Sequence, residues 1–136
     1  MTSSVEMPDR FETPRLWLRR YRGGDADDLA VLKADPETMR WMWSGTCDRQ
    51  HCVDAIASCM TDKYMRGLGF LALIDKATGE FVGECGIVHR DDITSIGYLI
   101  KRDHWGKGLA AEAVIPLLRH GFSALGRDAA TSLLDG

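Results

Sequence analysis

The sequence predicts an α/β (α+β) fold in which helices flank a mixed, mostly antiparallel sheet. Residues 14–20 alternate apolar and charged side chains, as half-buried strands do. Between residues 69 and 100, three short apolar segments are separated by turn-forming residues, which is typical of an antiparallel meander. A glycine-rich turn then leads from the third segment into residues with helical spacing.

The length and composition indicate one domain. The 136 residues are expected to fold as a single unit, residues 1–136, with enough length for a hydrophobic core. A formal net charge of −3 provides no basic surface for nucleic acid, so no nucleic-acid partner is expected. No apolar run has the length of a membrane span, and the N-terminus lacks the apolar core of a signal peptide. We therefore expect no membrane partner and a cytoplasmic location.

The cysteines do not form a recognisable disulfide or metal pattern. None belongs to a Cys-x-x-Cys pair, and a chain without a secretion signal is not expected to carry structural disulfides. Cys47, His51, Cys52 and Cys59 lie near one another in sequence, but their spacing matches no common zinc-ligand pattern. We expect no metal, and we interpret Cys52 and Cys59 as small apolar residues on one face of a helix.

Two helices are predicted after the first strand. Asp25 is a suitable N-cap residue for the first helix, which ends near Asp35-Pro36. The second helix is predicted from residue 48 to about residue 65. Its buried face is expected to carry Val53, Ile56, Met60 and Tyr64.

The meander is predicted to consist of strands 69–74, 81–88 and 94–100, joined by turns at 75–79 and 90–92. Gly83 and Gly86 in the middle strand indicate a bulge or a close approach of two backbones.

The last helix is predicted to begin near Gly108 and to end at Gly126, followed by a final strand at 129–134. Pro116 lies inside the helix and is expected to kink it, because proline has no backbone N–H to donate. Three polar residues are expected on its exposed side: Glu112, Arg119 and His120.

Residues 104–113 hold the strongest functional signal, because Gly106 and Gly108 open a helix directly after a strand. Glycines let the backbone turn tightly and approach a ligand closely. The first turn of the helix adds unpaired N–H groups and the positive end of the helix dipole, which together favour a phosphate. Two glycines are also typical of an ordinary turn, so the interpretation depends on the rest of the sequence.

The order of the elements, together with motifs along nearly the whole chain, resembles the GNAT superfamily of acyl-CoA-dependent N-acetyltransferases. The similarity is specifically to the branch that modifies ribosomal-protein N-termini. The motifs that carry the resemblance are Thr13-Pro-Arg-Leu-Trp-Leu-Arg19, Asp35-Pro-Glu-Thr-Met39, Gly69-Phe70, Thr78-Gly-Glu-Phe-Val-Gly83, Ile96-Gly-Tyr-Leu99, Trp105-Gly-Lys-Gly-Leu-Ala110, Glu112-Ala113 and His120-Gly-Phe…Leu-Gly126.

The resemblance implies acetyl-CoA as co-substrate and acyl donor, without a metal. The family's loop consensus, Gln/Arg-x-x-Gly-x-Gly/Ala, corresponds here to Trp105-x-x-Gly108-x-Ala110. The loop N–H groups would hold the pyrophosphate, and the preceding strand would bind the pantetheine arm. The implied cofactor-binding residues are Leu99, Ile100, Trp105, Gly106, Lys107, Gly108, Leu109 and Ala110, with further charge from Lys101 and Arg102.

In the implied reaction an amine attacks the thioester directly, and a general base removes the amine proton. Many relatives carry a glutamate just before the Ile-Gly-Tyr motif, where this chain has Ser95, which cannot be that base. Glu84 on the neighbouring strand is the candidate catalytic residue, although a strand glutamate that faces solvent is the simpler interpretation. His89 and His104 are further candidates, and both are also typical of surface turns.

The acceptor is expected to be a primary amine, on a protein N-terminus or on a small molecule such as an antibiotic or a polyamine. Residues 39–43 are rich in aromatic and thioether side chains, which is typical of core packing. Trp41 and Trp43 are also candidates for one wall of a substrate-binding pocket.

Relatives continue beyond the position of Gly136 with a helix and two strands, so the fold is expected to lack its last strands. Truncation, completion by strand exchange with another subunit, and an inactive family member are three explanations. An unpaired apolar sheet edge favours association, so a homodimer through that edge is expected. The alternative to an active N-acetyltransferase is a non-catalytic acyl-CoA-binding remnant or interaction module.

Overall fold

The computed structural model describes residues 6–42 and 44–121. The strands are β1 (Arg10–Glu12), β2 (Leu16–Arg20), β3 (Gly69–Asp75), β4 (Phe81–Arg90) and β5 (Ile93–Ile100). The helices are α1 (Ala26–Ala34), α2 (Arg49–Thr61) and α3 (Leu109–His120), with short 3₁₀ helices at Gly23–Asp25, Lys63–Arg66 and Arg102–His104. The predictions for Trp43, for a helix end at Gly126 and for a strand at 129–134 lie outside the described residues. Within those residues no helix has the length and apolar character needed to cross a bilayer.

The five strands form one sheet in the order β1-β2-β3-β4-β5, and every neighbouring pair is antiparallel. The three-stranded meander was predicted, and its second turn places Asp91 and Asp92 at positive φ, as tight hairpin turns require. Strand β1 was not predicted. It pairs with β2 through Phe11 and Leu18, and Met7 just before it is fully buried. The sheet therefore begins earlier in the chain than the alternating pattern at 14–20 indicates.

The sheet separates two hydrophobic clusters. Because strand side chains alternate between the two faces, neighbouring residues of β5 belong to different clusters. The cluster under α3 includes Leu18, Leu73, Ile87, Ile96, Ile100, Ala113 and Leu117. The cluster under α1 and α2 includes Leu29, Ile56, Ala72, Phe81 and Leu99. Strands β4 and β5 are thus covered by α3 on one face and by α1 and α2 on the other. This packing fixes the position of the outer edge of β5.

The two glycines of β4 mark both a bulge and close backbone contacts, as predicted. The register with β3 shifts between Leu73 and Ile74, opposite the start of β4. A Cβ atom added to Gly83 would lie 2.2 Å from the carbonyl oxygen of Leu99, and one added to Gly86 would lie 2.3 Å from that of Gly69. Any side chain at either position would push a neighbouring strand away.

The core-facing side of helix α2 was predicted only in part. It begins after Asp48, whose carboxylate accepts a hydrogen bond from the His51 N–H at 2.8 Å. Its buried residues are Cys52, Ile56 and Cys59, which follow one another at i, i+4 and i+7. The predicted core residue Met60 is instead 50% exposed. Tyr64 is buried as predicted, but it lies in the 3₁₀ helix that follows α2.

Helix α3 begins after Gly108 and continues through Pro116. The apolar residues Leu109, Ala113, Val114 and Leu117 lie on its buried face. Two of the polar residues expected on its exposed side make contacts with other elements. His120 is buried, with Nε2 3.3 Å from the carbonyl oxygen of Gly67, and Glu112 contacts the segment before β2.

Candidate functional site

The glycine loop connects β5 to α3 by way of a short 3₁₀ helix. Gly106 and Gly108 adopt φ angles of +79° and +77°, which L-residues rarely adopt, so the path of the loop depends on glycine. The first hydrogen bond of α3 runs from the Glu112 N–H to the Gly108 carbonyl. The N–H groups ahead of Glu112 in the first turn have no acceptor inside the helix, and they are therefore available to an anion.

A cavity of about 600 Å³ lies between this loop, β5 and the segment after α1. Its lining includes every predicted donor-binding residue except Lys107 and the two further basic residues Lys101 and Arg102, and it also includes Trp41. Trp43 lies outside the described residues. The lining also includes Met42 of the 39–43 segment and the candidate base His104, together with four residues that the sequence did not single out for binding: Thr38, Ile96, Gly97 and Tyr98. The fold therefore brings the predicted donor loop and one predicted acceptor residue to the same cavity.

The outer edge of β5 faces this cavity with unpaired backbone groups. The Lys101 N–H donates to the Val82 carbonyl at 2.8 Å, which sets the alternation of hydrogen bonds between β4 and β5. Leu99 consequently directs its backbone groups toward β4, whereas Tyr98 and Ile100 direct theirs toward the outer edge. The Ile100 carbonyl accepts a hydrogen bond from the Trp105 indole at 2.7 Å. Within residues 6–42 and 44–121, no strand pairs with this edge.

Arg15 and Thr13 join the first turn of α3 to the segment before β2. The Arg15 side chain donates to Glu112 at 2.7 Å and to the Lys107 carbonyl at 2.9 Å. The Arg15 backbone N–H and the Thr13 hydroxyl donate to the other Glu112 oxygen, at 2.8 and 2.5 Å. Burial alone would raise the pKa of Glu112, but these hydrogen bonds outweigh it, so that the pKa lies below its usual range.

Glu84 lies on the face of β4 that packs against α1, and it is only 2% exposed. The interpretation of Glu84 as a solvent-facing strand residue is therefore wrong. Its carboxylate accepts a hydrogen bond from the Tyr21 hydroxyl at 2.9 Å and lies 3.7 Å from Nζ of Lys33. Desolvation raises the pKa of Glu84, although Lys33 and Tyr21 act in the opposite direction. The same residue is absent from the described lining of the cavity.

Comparison with known proteins identifies the family. A family model described as "Acetyltransferase (GNAT) domain" matches residues 15–135. The chain belongs to the GNAT acetyltransferase family. Among curated proteins, uncharacterized N-acetyltransferase p20 of Bacillus licheniformis is 36% identical over 118 residues. The match covers 83% of this chain and spans 66% of the length of that relative.

Solved acetyltransferase structures share the fold. The acetyltransferase from Agrobacterium tumefaciens str. C58 matches with a TM-score of 0.74 and 26% identity, over 93% of this chain and 74% of that one. The microcin C7 self-immunity acetyltransferase MccE, solved in complex with acetyl-CoA and AMP, matches with a TM-score of 0.66 and 18% identity. That match covers 91% of this chain and 72% of MccE. The predicted GNAT fold, with helices around a largely antiparallel sheet, is confirmed.

The other polar residues that the sequence connected with GNAT chemistry have protein partners. His89 Nδ1 lies 2.8 Å from the Thr94 hydroxyl, and His104 Nε2 lies 3.4 Å from Glu80. The basic residues expected near the phosphates are also engaged. Lys101 lies 3.7 Å from Glu80, Arg102 lies 3.1 Å from Asp35, and Lys107 Nζ lies 3.4 Å from His104 Nδ1.

The cysteines lie in apolar surroundings. Cys52, Cys59 and Cys85 are buried free thiols, and Cys47 is partly buried. Burial raises the pKa of Cys52 and Cys59, which keeps these thiols protonated. Across the described ranges, no group of three or more His, Cys, Asp and Glu residues is arranged to hold a metal ion.

Proposed function

We propose that the protein transfers an acetyl group from acetyl-CoA to a primary amine, which attacks the thioester directly. The observation that carries the proposal is the meeting of two donor-binding features at one cavity, in a chain of the GNAT family. These features are the glycine loop at the start of α3 and the unpaired edge of β5. The acetyl-CoA complex of MccE, which shares the fold, supports the choice of donor.

The donor is proposed to lie along β5 with its pyrophosphate at the glycine loop. Loop N–H groups between Gly106 and Ala110 would bind the phosphate oxygens, and the helix dipole would add to the attraction. The amide-rich pantetheine arm would pair with the outward backbone groups of Tyr98 and the Ile100 N–H, in the manner of an added strand. An N–H on this edge would also polarise the thioester carbonyl as negative charge develops on its oxygen.

The acceptor amine is proposed to enter from the side that carries Trp41. This side chain is 83% exposed and lines the same cavity as β5. Replacing Trp41 by alanine should raise the KM for the amine and leave the affinity for acetyl-CoA unchanged, because Trp41 belongs to the segment after α1 and not to the proposed donor loop. Trp17→Ala is the matched control, since Trp17 lies on β2 and does not line the cavity. Equal acceptor kinetics in Trp41→Ala and wild type would contradict the assignment.

We propose that Glu84 has a structural role, in which it holds α1 against β4 through Lys33, and that it does not itself remove the amine proton. Its carboxylate is enclosed by Tyr21 and Lys33, and it does not reach the described lining of the cavity. The amine must be neutral to attack. As the new C–N bond forms, the thioester C–S bond breaks and CoA leaves as its thiolate. The amine proton would pass to solvent in the cavity, and the thiolate would take up a proton from the same solvent. A catalytic role for Glu84 predicts instead a large loss of kcat when its carboxylate is replaced by an amide.

The donor site is tested by thermal unfolding with and without acetyl-CoA. Ligand at about a hundred times its Kd should stabilise the fold by roughly 2.7 kcal/mol and raise Tm by several degrees. Gly108→Glu should abolish the shift, because it adds a negative charge to the loop that is proposed to bind the phosphates and places a side chain at a φ of +77°. Gly79→Glu is a matched control, since Gly79 has nearly the same φ, +76°, in a hairpin turn. A wild-type protein that melts cooperatively without any shift would contradict the proposal.

A second candidate is a non-catalytic protein that binds acyl-CoA. It is favoured by Ser95 at the position where many relatives carry a glutamate, and by the absence of Asp and Glu from the cavity lining in the described part of the chain. Release of free CoA thiol in the presence of a panel of amines distinguishes the two. Turnover above the rate without enzyme supports the transferase, whereas donor binding without turnover supports the second candidate.

A further inference from the structure

We propose that Arg15 is a positioning residue of the donor site. It fixes the peptide between Lys107 and Gly108 so that the Gly108 N–H points at the pyrophosphate of the donor. The inference rests on the proposed function, because it assigns a role within the same donor site.

The Arg15 side chain bridges two groups of the glycine loop and α3. Its Nε donates to Glu112 Oε1 at 2.7 Å, and its Nη1 donates to the Lys107 carbonyl at 2.9 Å. Glu112 is itself held in place, because its other oxygen accepts from the Arg15 backbone N–H and from the Thr13 hydroxyl. The guanidinium is therefore fixed at one end by a carboxylate, and it holds the loop carbonyl with the other.

The orientation of this peptide follows from its planarity. In a trans peptide the carbonyl and the N–H point in opposite directions, so holding the Lys107 carbonyl also orients the Gly108 N–H. Arg15 and Lys107 line a cavity of about 430 Å³ on one side of the loop. Gly108 lines the 600 Å³ cavity on the other side. The Lys107 carbonyl is turned toward Arg15, so the Gly108 N–H is turned away from Arg15. The proposal places this N–H at the cavity that Gly108 lines and Lys107 does not.

The loop needs such a contact because its own sequence does not favour one peptide orientation. Glycine adopts positive and negative φ with similar ease, so a peptide next to a glycine can rotate readily. A rotated peptide would direct the Lys107 carbonyl, with its partial negative charge, at the phosphates. Only arginine offers several N–H donors in a planar fork, so lysine at position 15 could pair with Glu112 without holding the carbonyl at the same time.

The test uses calorimetry to measure how two donors bind to the wild type, to Arg15→Met and to Arg15→Lys. Acetyl-CoA contains the pyrophosphate, and S-acetylpantetheine lacks it. Arg15→Met should raise the Kd for acetyl-CoA by about ten- to a hundred-fold, the effect expected for one hydrogen bond to a charged group. It should leave the Kd for S-acetylpantetheine unchanged. Arg15→Lys should retain the Tm of the wild type but still bind acetyl-CoA more weakly. In turnover, the KM for acetyl-CoA should rise by a larger factor than kcat falls.

The matched control is Arg49→Met, which breaks an exposed pair with Asp27 at the same distance of 2.7 Å, on the helices α1 and α2. This variant should bind both donors as the wild type does. Unchanged acetyl-CoA affinity in Arg15→Met, or equal losses for both donors, would overturn the inference. If Arg15→Met does not fold, Arg15→Lys takes its place, and unchanged acetyl-CoA affinity or equal losses for both donors in that variant would likewise overturn the inference. A wild-type protein that binds neither donor would instead contradict the proposed function itself.

Discussion

Asp35, directly after α1, accepts a hydrogen bond from the guanidinium of Arg102 at 3.1 Å. Its other carboxylate oxygen accepts from the Thr38 hydroxyl at 2.7 Å. Arg102 belongs to the 3₁₀ helix that precedes the glycine loop, whereas Thr38 lines the cavity together with Trp41. The pair therefore ties the segment that carries the proposed acceptor wall to the segment that leads into the proposed donor loop.

We expect Arg102→Met to impair acceptor binding more than donor binding. Without Arg102, Asp35 keeps its bond to Thr38 but loses its contact with the donor side, so the segment around Trp41 is less well fixed. The KM for the amine should rise several-fold, with little change in Tm, because the pair is largely exposed. A weaker affinity for acetyl-CoA with normal acceptor kinetics would instead place Arg102 at the phosphates, as the family resemblance implied.

Glu84→Gln tests the role of the buried carboxylate. The substitution keeps a side-chain oxygen for the Tyr21 hydroxyl but leaves the ammonium group of Lys33, which is 14% exposed, without its charge partner. We expect the free energy of unfolding to fall by about 3 kcal/mol, the effect of breaking a buried ion pair. The double variant Glu84→Leu with Lys33→Met should recover only part of this loss, because it removes both charges but takes away the acceptor of the buried Tyr21 hydroxyl. Urea unfolding of the wild type and these two variants measures these differences.

The turnover rate of Glu84→Gln distinguishes a structural role of Glu84 from a catalytic one. If the carboxylate only holds α1 against β4, kcat below the unfolding transition should fall by less than about tenfold. If Glu84 removes the amine proton, kcat should fall by about a hundredfold or more, as expected for loss of a general base. The second outcome would contradict our proposal and would restore the catalytic role inferred from the sequence.

Much of the fold follows from local patterns. The meander, α1 and the start of α3 were predicted within a few residues, because their periodicity and turn residues are local signals. The buried face of α2 was only partly correct, because Val53 and Met60 are as apolar as Cys52 and Cys59, and the rotation of the helix depends on what it packs against. Strand β1 has only three residues, which is too short for a recognisable pattern of apolar and polar side chains. It is a strand because it pairs with β2.

The glycine loop of the candidate site was predictable from the sequence. Gly106 and Gly108 adopt positive φ, which few other residues adopt, so two glycines at these positions already indicate a tight loop. The contacts of Arg15 with Glu112 join residues 97 positions apart, and the bond between Tyr21 and Glu84 spans 63 positions. Such pairings depend on how the strands are ordered in the sheet, which spacing along the chain does not reveal. The resemblance included Arg15 and Glu112 in two motifs but gave no reason to pair them.

Asp25 and Arg19 should make stability dependent on pH in the acidic range. Arg19 donates two hydrogen bonds to Asp25, both at 2.8 Å, and the Arg22 N–H donates a third at 2.7 Å. Burial alone would raise the pKa of Asp25, but these bonds outweigh it and lower the pKa. The stabilisation is therefore complete above the unfolded-state pKa of about 3.9, and it is lost as the pH falls through the lower folded-state value.

Arg19→Met should accordingly lower the free energy of unfolding by about 2 kcal/mol at neutral pH. The difference from wild type should shrink as the pH falls below about 4, because Asp25 becomes protonated in both states. Urea unfolding of both proteins at a series of pH values measures this difference in the free energy of unfolding. Arg66→Met is the control, since it breaks an exposed pair with Asp62, and it should have little effect at any pH. A pH-independent difference for Arg19→Met would argue for lost packing rather than a lost ion pair.

Gly83→Ala should disturb both the sheet and the donor site. The added methyl would lie 2.2 Å from the Leu99 carbonyl oxygen and 3.0 Å from the Ile100 Cα, so β5 must move away from β4. We expect a loss of about 3 kcal/mol in the free energy of unfolding, at the upper end for overpacking. The affinity for acetyl-CoA should also fall, because the outward groups of Tyr98 would be displaced with the strand.

Gly24→Ala is the matched control for this substitution. A Cβ at Gly24 has no atom within 4 Å, so the same chemical change should leave donor affinity intact. It should raise stability slightly by restricting the unfolded chain. Calorimetry with acetyl-CoA and urea unfolding on both variants would show whether the two effects of Gly83→Ala occur together. If Gly83→Ala were destabilised but bound acetyl-CoA normally, the edge of β5 would not be the surface that holds the donor.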